Sequence, residues 1–246
     1  MTHSSTNTAT VKQVAILGGS GAIGNALVRV YQQQRNTRVW CLSRSQPSNV
    51  GDEGFIKADV TDEASLLAAA QTLKQNPPLD TLIIATGALH SEAMQPEKSL
   101  AKLEAEAFLE SIQVNTLGPA LAIKHLLPLL DKGSASRCGV LSARVGSIGD
   151  NRLGGWYSYR SAKAALNMFI KTAAVELARS HKHSVLVGLH PGTVDSELSK
   201  PFQRNVAPQK LFTPSYSAEC LMAVLGSKTN IDSGQVFAWD NTPIPN

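Results

Sequence analysis

The amino-acid sequence predicts an α/β fold, a doubly wound parallel sheet of about seven strands with helices on both faces. Three observations predict it. Apolar runs of strand length alternate with stretches of helical periodicity along the chain. A glycine-rich turn, Ile16-Leu-Gly-Gly-Ser-Gly-Ala-Ile-Gly24, joins the first strand to the first helix. The length of 246 residues, 43% of them hydrophobic, suits one α/β domain with a large core and no linker.

In chain order, residues 11–17 are apolar and short enough for a first strand, and 23–34 repeat with helical periodicity. Strands are expected at 38–43, 55–58 and 79–85, with a helix at 61–75 between the last two that Thr61 or Asp62 would cap. Residues 100–130 are helical in pattern, as one helix or two, with Gly118-Pro119 a disturbance inside. A fifth strand is expected at 138–142, a helix at 164–179, a sixth strand at 184–190, a helix at 214–225 and a last strand at 234–239. Residues 191–213 carry the least pattern, and an unpatterned stretch that long in a compact domain is often a lid over a site.

Composition excludes several classes. The net charge of +4 is spread out with no lysine or arginine run, so neither nucleic acid nor a membrane surface is an expected partner. No stretch approaches the roughly 18 apolar residues of a transmembrane helix. Residues 1–10 are polar and lack the apolar region of a secretory signal, so they are expected as a disordered lead before a domain spanning 11–246. Three cysteines, Cys41, Cys138 and Cys220, have no metal-ligand spacing, and their odd number fits a reducing cytoplasm. No metal is expected.

Within the glycine turn, Gly19, Gly21 and Gly24 spell G-x-G-x-x-G, and Gly18, Gly21 and Gly24 spell G-x-x-G-x-x-G. Either spacing lets backbone N–H groups of Ser20, Gly21, Ala22 and Ile23 approach a pyrophosphate at a helix N-terminus, so the fold is read as Rossmann-type and the ligand as a dinucleotide. An NAD site would place a carboxylate at the end of the second strand, whereas this chain has Ser43 and Arg44 there. A hydroxyl and a guanidinium suit a 2′-phosphate, which favours NADP(H) over NAD(H). Asp59, with Val60 beside it at the end of the third strand, reads either as an acceptor for the adenine amino group or as a helix cap.

Tyr159 and Lys163 are four apart at the start of a helical stretch, and so share one face. A phenol has an unperturbed pKa of about 10, and a cation held beside it favours the phenolate. Alone the pair is weak, but downstream of a strand–glycine turn–helix it becomes specific.

Together these residues resemble the short-chain dehydrogenase/reductase family, from Val11 to about Trp239, and within it the C-factor and sniffer-like carbonyl reductase branch, on the stretch Arg144 to Arg160. The resemblance implies a cytoplasmic NADP(H)-dependent oxidoreductase reducing a small carbonyl compound. Tyr159 would be the general acid or base, Lys163 would lower its pKa and bond the nicotinamide ribose, and Asn115 would hold a water of the proton relay. Pro191, Gly192, Val194 and Ser196 match the segment that meets the nicotinamide, and Ala85 and Gly87 the turn after the fourth strand. It further implies a homodimer or homotetramer, paired through 100–130 and 162–179.

The chain departs from the family at three places. Ala143 stands where a serine orients the substrate oxygen, and Ser147, twelve residues before Tyr159, is the expected substitute, with Ser142 next door aimed at the opposite sheet face. Ile84-Ala-Thr-Gly87 replaces Asn-Asn-Ala-Gly, and Ala22 replaces a glycine. Tyr157 reads as a pocket wall, and His190 as a satisfied structural histidine. The loss at Ala143 motivates a rival reading, a C-factor-like signalling or regulatory protein that binds a dinucleotide and catalyses little.

Overall fold

The computed structural model describes residues 10–92 and 94–245. The polar lead expected at 1–10 lies, except for Thr10, outside the described residues.

The strands are β1 (Lys12–Leu17), β2 (Thr37–Ser43), β3 (Phe55–Lys57), β4 (Thr81–Ile84), β5 (Arg137–Leu141), β6 (Val185–His190), a short β7 (Thr193–Val194) and β8 (Leu211–Phe212), β9 (Val236–Ala238) and β10 (Pro243–Ile244). Eight of them form one sheet in the order β10-β9-β6-β5-β4-β1-β2-β3. Every pair is parallel except β9 with β10 at the edge. The sheet therefore has the seven expected parallel strands plus an antiparallel edge strand, which two residues beginning with a proline could not announce.

The helices are α1 (Ala22–Gln32), α2 (Glu63–Lys74), α3 (Ala105–Ile112), α4 (Gly118–Leu126), α5 (Tyr157–Ser180) and α6 (Pro214–Ser227). One core lies between the sheet and α2, α4 and α5, and takes Ala15 and Leu17 of β1 with Cys138 and Val140 of β5. A second lies between the sheet and α1 and α6, and takes Val14 and Ile16 of β1 with Val187 and Leu189 of β6. Burial on both faces is why these strands read as continuous apolar runs. Asp62 caps α2, its Oδ1 accepting from Ala64 N at 3.0 Å and Ser65 N at 3.3 Å.

The helical pattern over 100–130 resolves into α3, a wide turn at Gln113–Leu117, and α4. Pro119 has no N–H to give the Asn115 carbonyl, so the regular ladder cannot pass through that point. The unpatterned stretch 191–213 holds the small β7–β8 pair, with Thr193 against Leu211 and Val194 against Phe212.

Order along the sheet reverses between β1 and β4, whose neighbours run outward in opposite directions. In open α/β sheets the crevice at the carboxyl ends of the strands flanking that reversal binds ligands.

Candidate active site

The glycine turn lies at that crevice. Gly18 has φ +86°, and a Cβ there would come within 2.6 Å of the Ala85 carbonyl. A Cβ on Gly24 would come within 2.1 Å of the Gly18 carbonyl, so that glycine allows α1 to sit on the turn. At Gly21 only the Gly18 carbonyl, 3.4 Å off, borders the added carbon, and the room beyond belongs to the cleft. Gly21 caps α1 with no side-chain hydrogen bond, and the first turn contains no acidic residue. The opening N–H groups of the helix are thus left for an anion.

Three adjoining cavities form the cleft. The first, about 440 Å³, is bordered by Ser20, Gly21, Ala22, Ile23, Lys163 and Pro191. The second, about 460 Å³, lies over the ends of β2 and β3 and takes in Ser43, Arg44, Asp59 and Val60. Ala85, Thr86 and Gly87 border both. The Arg44 side chain makes no ion pair or hydrogen bond among the described residues, although its charge helps to lower Asp59. Asp59 accepts from Thr61 N at 2.9 Å and Thr61 Oγ1 at 2.8 Å, which together hold its carboxyl below the usual range. The Ser43 hydroxyl donates to the Ser45 carbonyl at 2.7 Å. The buried Thr86 hydroxyl has no hydrogen-bond partner among the described residues.

The third cavity, about 260 Å³, is bordered by Leu89, Ala143, Trp156, Tyr159, His190 and Phe202, with Gly192, Val194 and Ser196 also on its wall. Tyr159 and Ser196 border both this cavity and the first.

Tyr159 and Lys163 occupy the first two turns of α5, where the spacing of four puts both on the cleft. Lys163 Nζ is 5.8 Å from the Tyr159 ring centre, and it donates to the Leu141 carbonyl at 3.0 Å. Burial pushes Tyr159 up to about 12 and Lys163 down to about 8. The expected lowering of the phenol by the lysine is therefore not present here: the lysine's hydrogen bond goes to main chain, and desolvation governs both groups.

Asn115 is fully buried beneath Gly87. Its Oδ1 accepts from Ala88 N at 3.0 Å, and its Nδ2 donates to the Ala88 carbonyl at 2.8 Å. This amide braces the turn after β4, where the missing asparagines left the bracing unassigned.

Ser147 is not brought to the cleft. It lies in the turn after β5, where its hydroxyl accepts from Asp150 N at 3.1 Å. Ser142 faces α5, donating to Asn167 Oδ1 at 2.5 Å, while Ala143 borders the third cavity.

Sequence reasoning missed four residues. Gly154, Gly155 and Trp156 have φ of +63°, +64° and +53°, a left-handed run that delivers the chain into α5. The run sets the Trp156 ring edge-on to Tyr159, 6.3 Å between centres, and to Phe202, 5.3 Å. Trp156, not Tyr157, is the pocket wall; the doubled glycine was the available signal. Phe202 lay in the unpatterned stretch and gave none. Glu97, also buried, accepts from Ser158 N at 3.2 Å and from the Ser158 hydroxyl, and its carbonyl accepts from Trp156 N at 2.6 Å. A carboxylate thus meets the N-terminus of α5 from a loop about sixty residues away in sequence. The fourth is His190, whose Nδ1 is buried with no partner among the described residues, so it is not the satisfied histidine expected. Burial first, then the Arg144 guanidinium, hold it down to about 4 against an opposing pull from Asp240.

The family model described as short chain dehydrogenase matches residues 12–207. The chain belongs to the short-chain dehydrogenase/reductase family. It is 34% identical over 185 residues, 75% of this chain and 76% of the relative, to 1-hydroxy-2-glutathionyl-2-methyl-3-butene dehydrogenase of Rhodococcus sp. (strain AD45). It is 32% identical to the C-signal of Myxococcus xanthus over 132 residues, 54% of this chain and 74% of that one. Its fold is similar to the NADPH-bound carbonyl reductase from chicken fatty liver, with a TM-score of 0.79 at 22% identity, covering 96% and 95% of the two chains. This short-chain dehydrogenase is accordingly an oxidoreductase. Among its described residues no helix is long and apolar enough to cross a membrane, and no group of histidine, cysteine and carboxylate side chains could hold a metal ion.

Proposed function

We propose that this short-chain dehydrogenase/reductase uses NADP(H), in preference to NAD(H), to reduce a small carbonyl compound to an alcohol. The observation that carries the reading is the position of Tyr159, on the wall shared by the cleft over the glycine turn and the apolar cavity beside it.

The residues present fit a dinucleotide. The uncapped α1 N-terminus and the space beside Gly21 suit a pyrophosphate, and the orphaned Thr86 hydroxyl is a buried polar atom awaiting a ligand. Ser43 and Arg44, whose side chain makes no hydrogen bond or ion pair among the described residues, suit a 2′-phosphate, and Asp59 and Val60 would lie beside the adenine. Ala85, Gly87, Pro191, Gly192, Val194 and Ser196 would hold the remaining length. When bound, the nicotinamide supplies a hydride to the carbonyl carbon.

Tyr159 gives its phenolic proton to the oxygen as the carbon–oxygen double bond is reduced, and solvent returns it. A proton donor must be protonated at the working pH, and burial keeps Tyr159 so. Lys163 retains N–H donors beyond the one used on Leu141, and these would bond the nicotinamide ribose. Asn115 fixes the turn bearing Gly87. The aromatic walls, Trp156 and Phe202, exclude water from the transfer and favour an apolar substituent on the carbonyl.

A cytoplasmic, homo-oligomeric setting belongs to the same reading. The three cysteines are unpaired, and Leu117, Met168 and Phe169 expose apolar surface beside the groove between α4 and α5.

The test is oxidation of NADPH, with NADH in parallel, against a panel of aldehydes, ketones and quinones. Carbonyl-dependent loss of NADPH supports the reading. Tight NADPH binding with no turnover on any compound would transfer the weight to the regulatory role suggested by Ala143 and the C-signal similarity.

A further inference from the structure

The family serine that orients the substrate oxygen is Ala143 in this chain, and a methyl group cannot donate a hydrogen bond. Tyr159 supplies one donor at the cavity. Most other polar side chains on the wall are already engaged. Ser142 donates to Asn167 at 2.5 Å, Arg144 to Asp150 at 2.9 Å, and Ser196 and Ser199 to the Val194 carbonyl at 3.2 and 2.5 Å. Three remain without a side-chain hydrogen bond among the described residues, Thr193, Trp156 and His190.

We propose that His190 donates the second hydrogen bond to the substrate carbonyl oxygen, through Nε2–H, in place of the hydroxyl that Ala143 lacks. The inference rests on the reductase reading given above.

Strand alternation places the residue. In β6, Leu186 packs into the core on the α5 side, while Val187 and Leu189 pack on the other. His190, four residues beyond Leu186, returns to the α5 side, where Tyr159 is. It borders the same cavity as Tyr159 and Ala143. The ring has one enclosed nitrogen, Nδ1, that meets no donor or acceptor among the described residues. Burying an N–H without an acceptor costs about 1–3 kcal/mol, so the proton belongs on Nε2, the ring nitrogen that is not enclosed and unpartnered in this way. Burial beside Arg144 keeps the ring neutral at physiological pH. A neutral imidazole stabilises negative charge growing on oxygen without competing with Tyr159 as the acid.

The test compares His190→Leu, Ala143→Ser and the double variant, with NADPH titrations and melting temperatures alongside. Loss of one donor at a developing oxyanion lowers kcat by about 100-fold or more. His190→Leu is therefore expected to lose about that factor, mostly in kcat, with NADPH affinity unchanged. Ala143→Ser is expected to restore at least tenfold in the His190→Leu background, a rescue that a merely structural histidine would not show. Turnover within threefold of wild type in His190→Leu overturns the proposal. So does a folded His190→Leu whose loss Ala143→Ser does not repair, or a Thr193→Val variant that carries the loss instead. Where His190→Leu does not fold, His190→Gln keeps a donor, and a 100-fold loss in that variant overturns the proposal while retention of a tenth of the activity supports it. Failure of the parent reading is separate: it appears as wild-type protein with no carbonyl-dependent NADPH oxidation at all.

Discussion

Lys163 sits 5.8 Å from the centre of the Tyr159 ring, yet its hydrogen bond goes to the Leu141 carbonyl, 3.0 Å away. The pair shares a wall of the cleft without a direct bond. Burial moves the two in opposite directions, the phenol to about 12 and the ammonium to about 8. Desolvation makes an enclosed charged lysine beside an enclosed tyrosine costly, and the anionic groups of a dinucleotide would offset that cost.

The cost of Lys163 has a defined pH dependence. Its folded value, about 8, lies below the ordinary 10.5. Below pH 8 both states are protonated and the penalty is fully present. Between 8 and 10.5 the unfolded chain binds more protons, so stability rises with pH; Tyr159 acts in the opposite sense, but only above pH 10. Denaturant titrations of ligand-free protein should show wild type gaining about 2 kcal/mol relative to Lys163→Met between pH 8 and 9.5. Parallel pH profiles for the two proteins would contradict the burial of a charged Lys163.

Arg44 should set the preference between the two dinucleotides. Arg44→Ala is expected to weaken NADPH binding by about 10- to 150-fold, one charge-assisted contact of roughly 1.5–3 kcal/mol, and to leave NADH nearly unchanged. Fluorescence titrations with both nucleotides decide it; equal losses for the two would remove Arg44 from the 2′-phosphate.

Asn115→Leu removes both bonds to Ala88 and leaves a peptide N–H and carbonyl unpaired. We expect about 2 kcal/mol of lost stability and at least a tenfold lower kcat, because the turn bearing Gly87 loosens. An unaltered denaturation midpoint would show that the brace is dispensable.

Gly24→Ala forces a carbon within 2.1 Å of the Gly18 carbonyl. The start of α1 must move, so dinucleotide affinity is expected to fall at least tenfold, with a lower melting temperature. Wild-type affinity in this variant would mean that the turn is not the pyrophosphate cradle.

Much of this site was legible in the sequence because local rules govern it. The glycine spacing, the four-residue step from Tyr159 to Lys163, and the apolar strand runs each express one element's own geometry. What escaped depends on distant pieces of chain. Glu97 meets α5 only because the loop after β4 folds over it, and Ser147 turned to Asp150 because a hydroxyl in a tight turn finds the nearest N–H. His190 looked like a residue that would find a partner, and only packing shows that its enclosed nitrogen has none among the described residues.

The most direct measurement is NADPH oxidation on the best carbonyl substrate by wild type and Tyr159→Phe, both saturated with cofactor. Removing the proton donor while keeping the ring should lower kcat by at least about 100-fold, the low end of what general acid catalysis contributes, with NADPH affinity unchanged. A Tyr159→Phe enzyme within a fewfold of wild type would contradict the account at its centre.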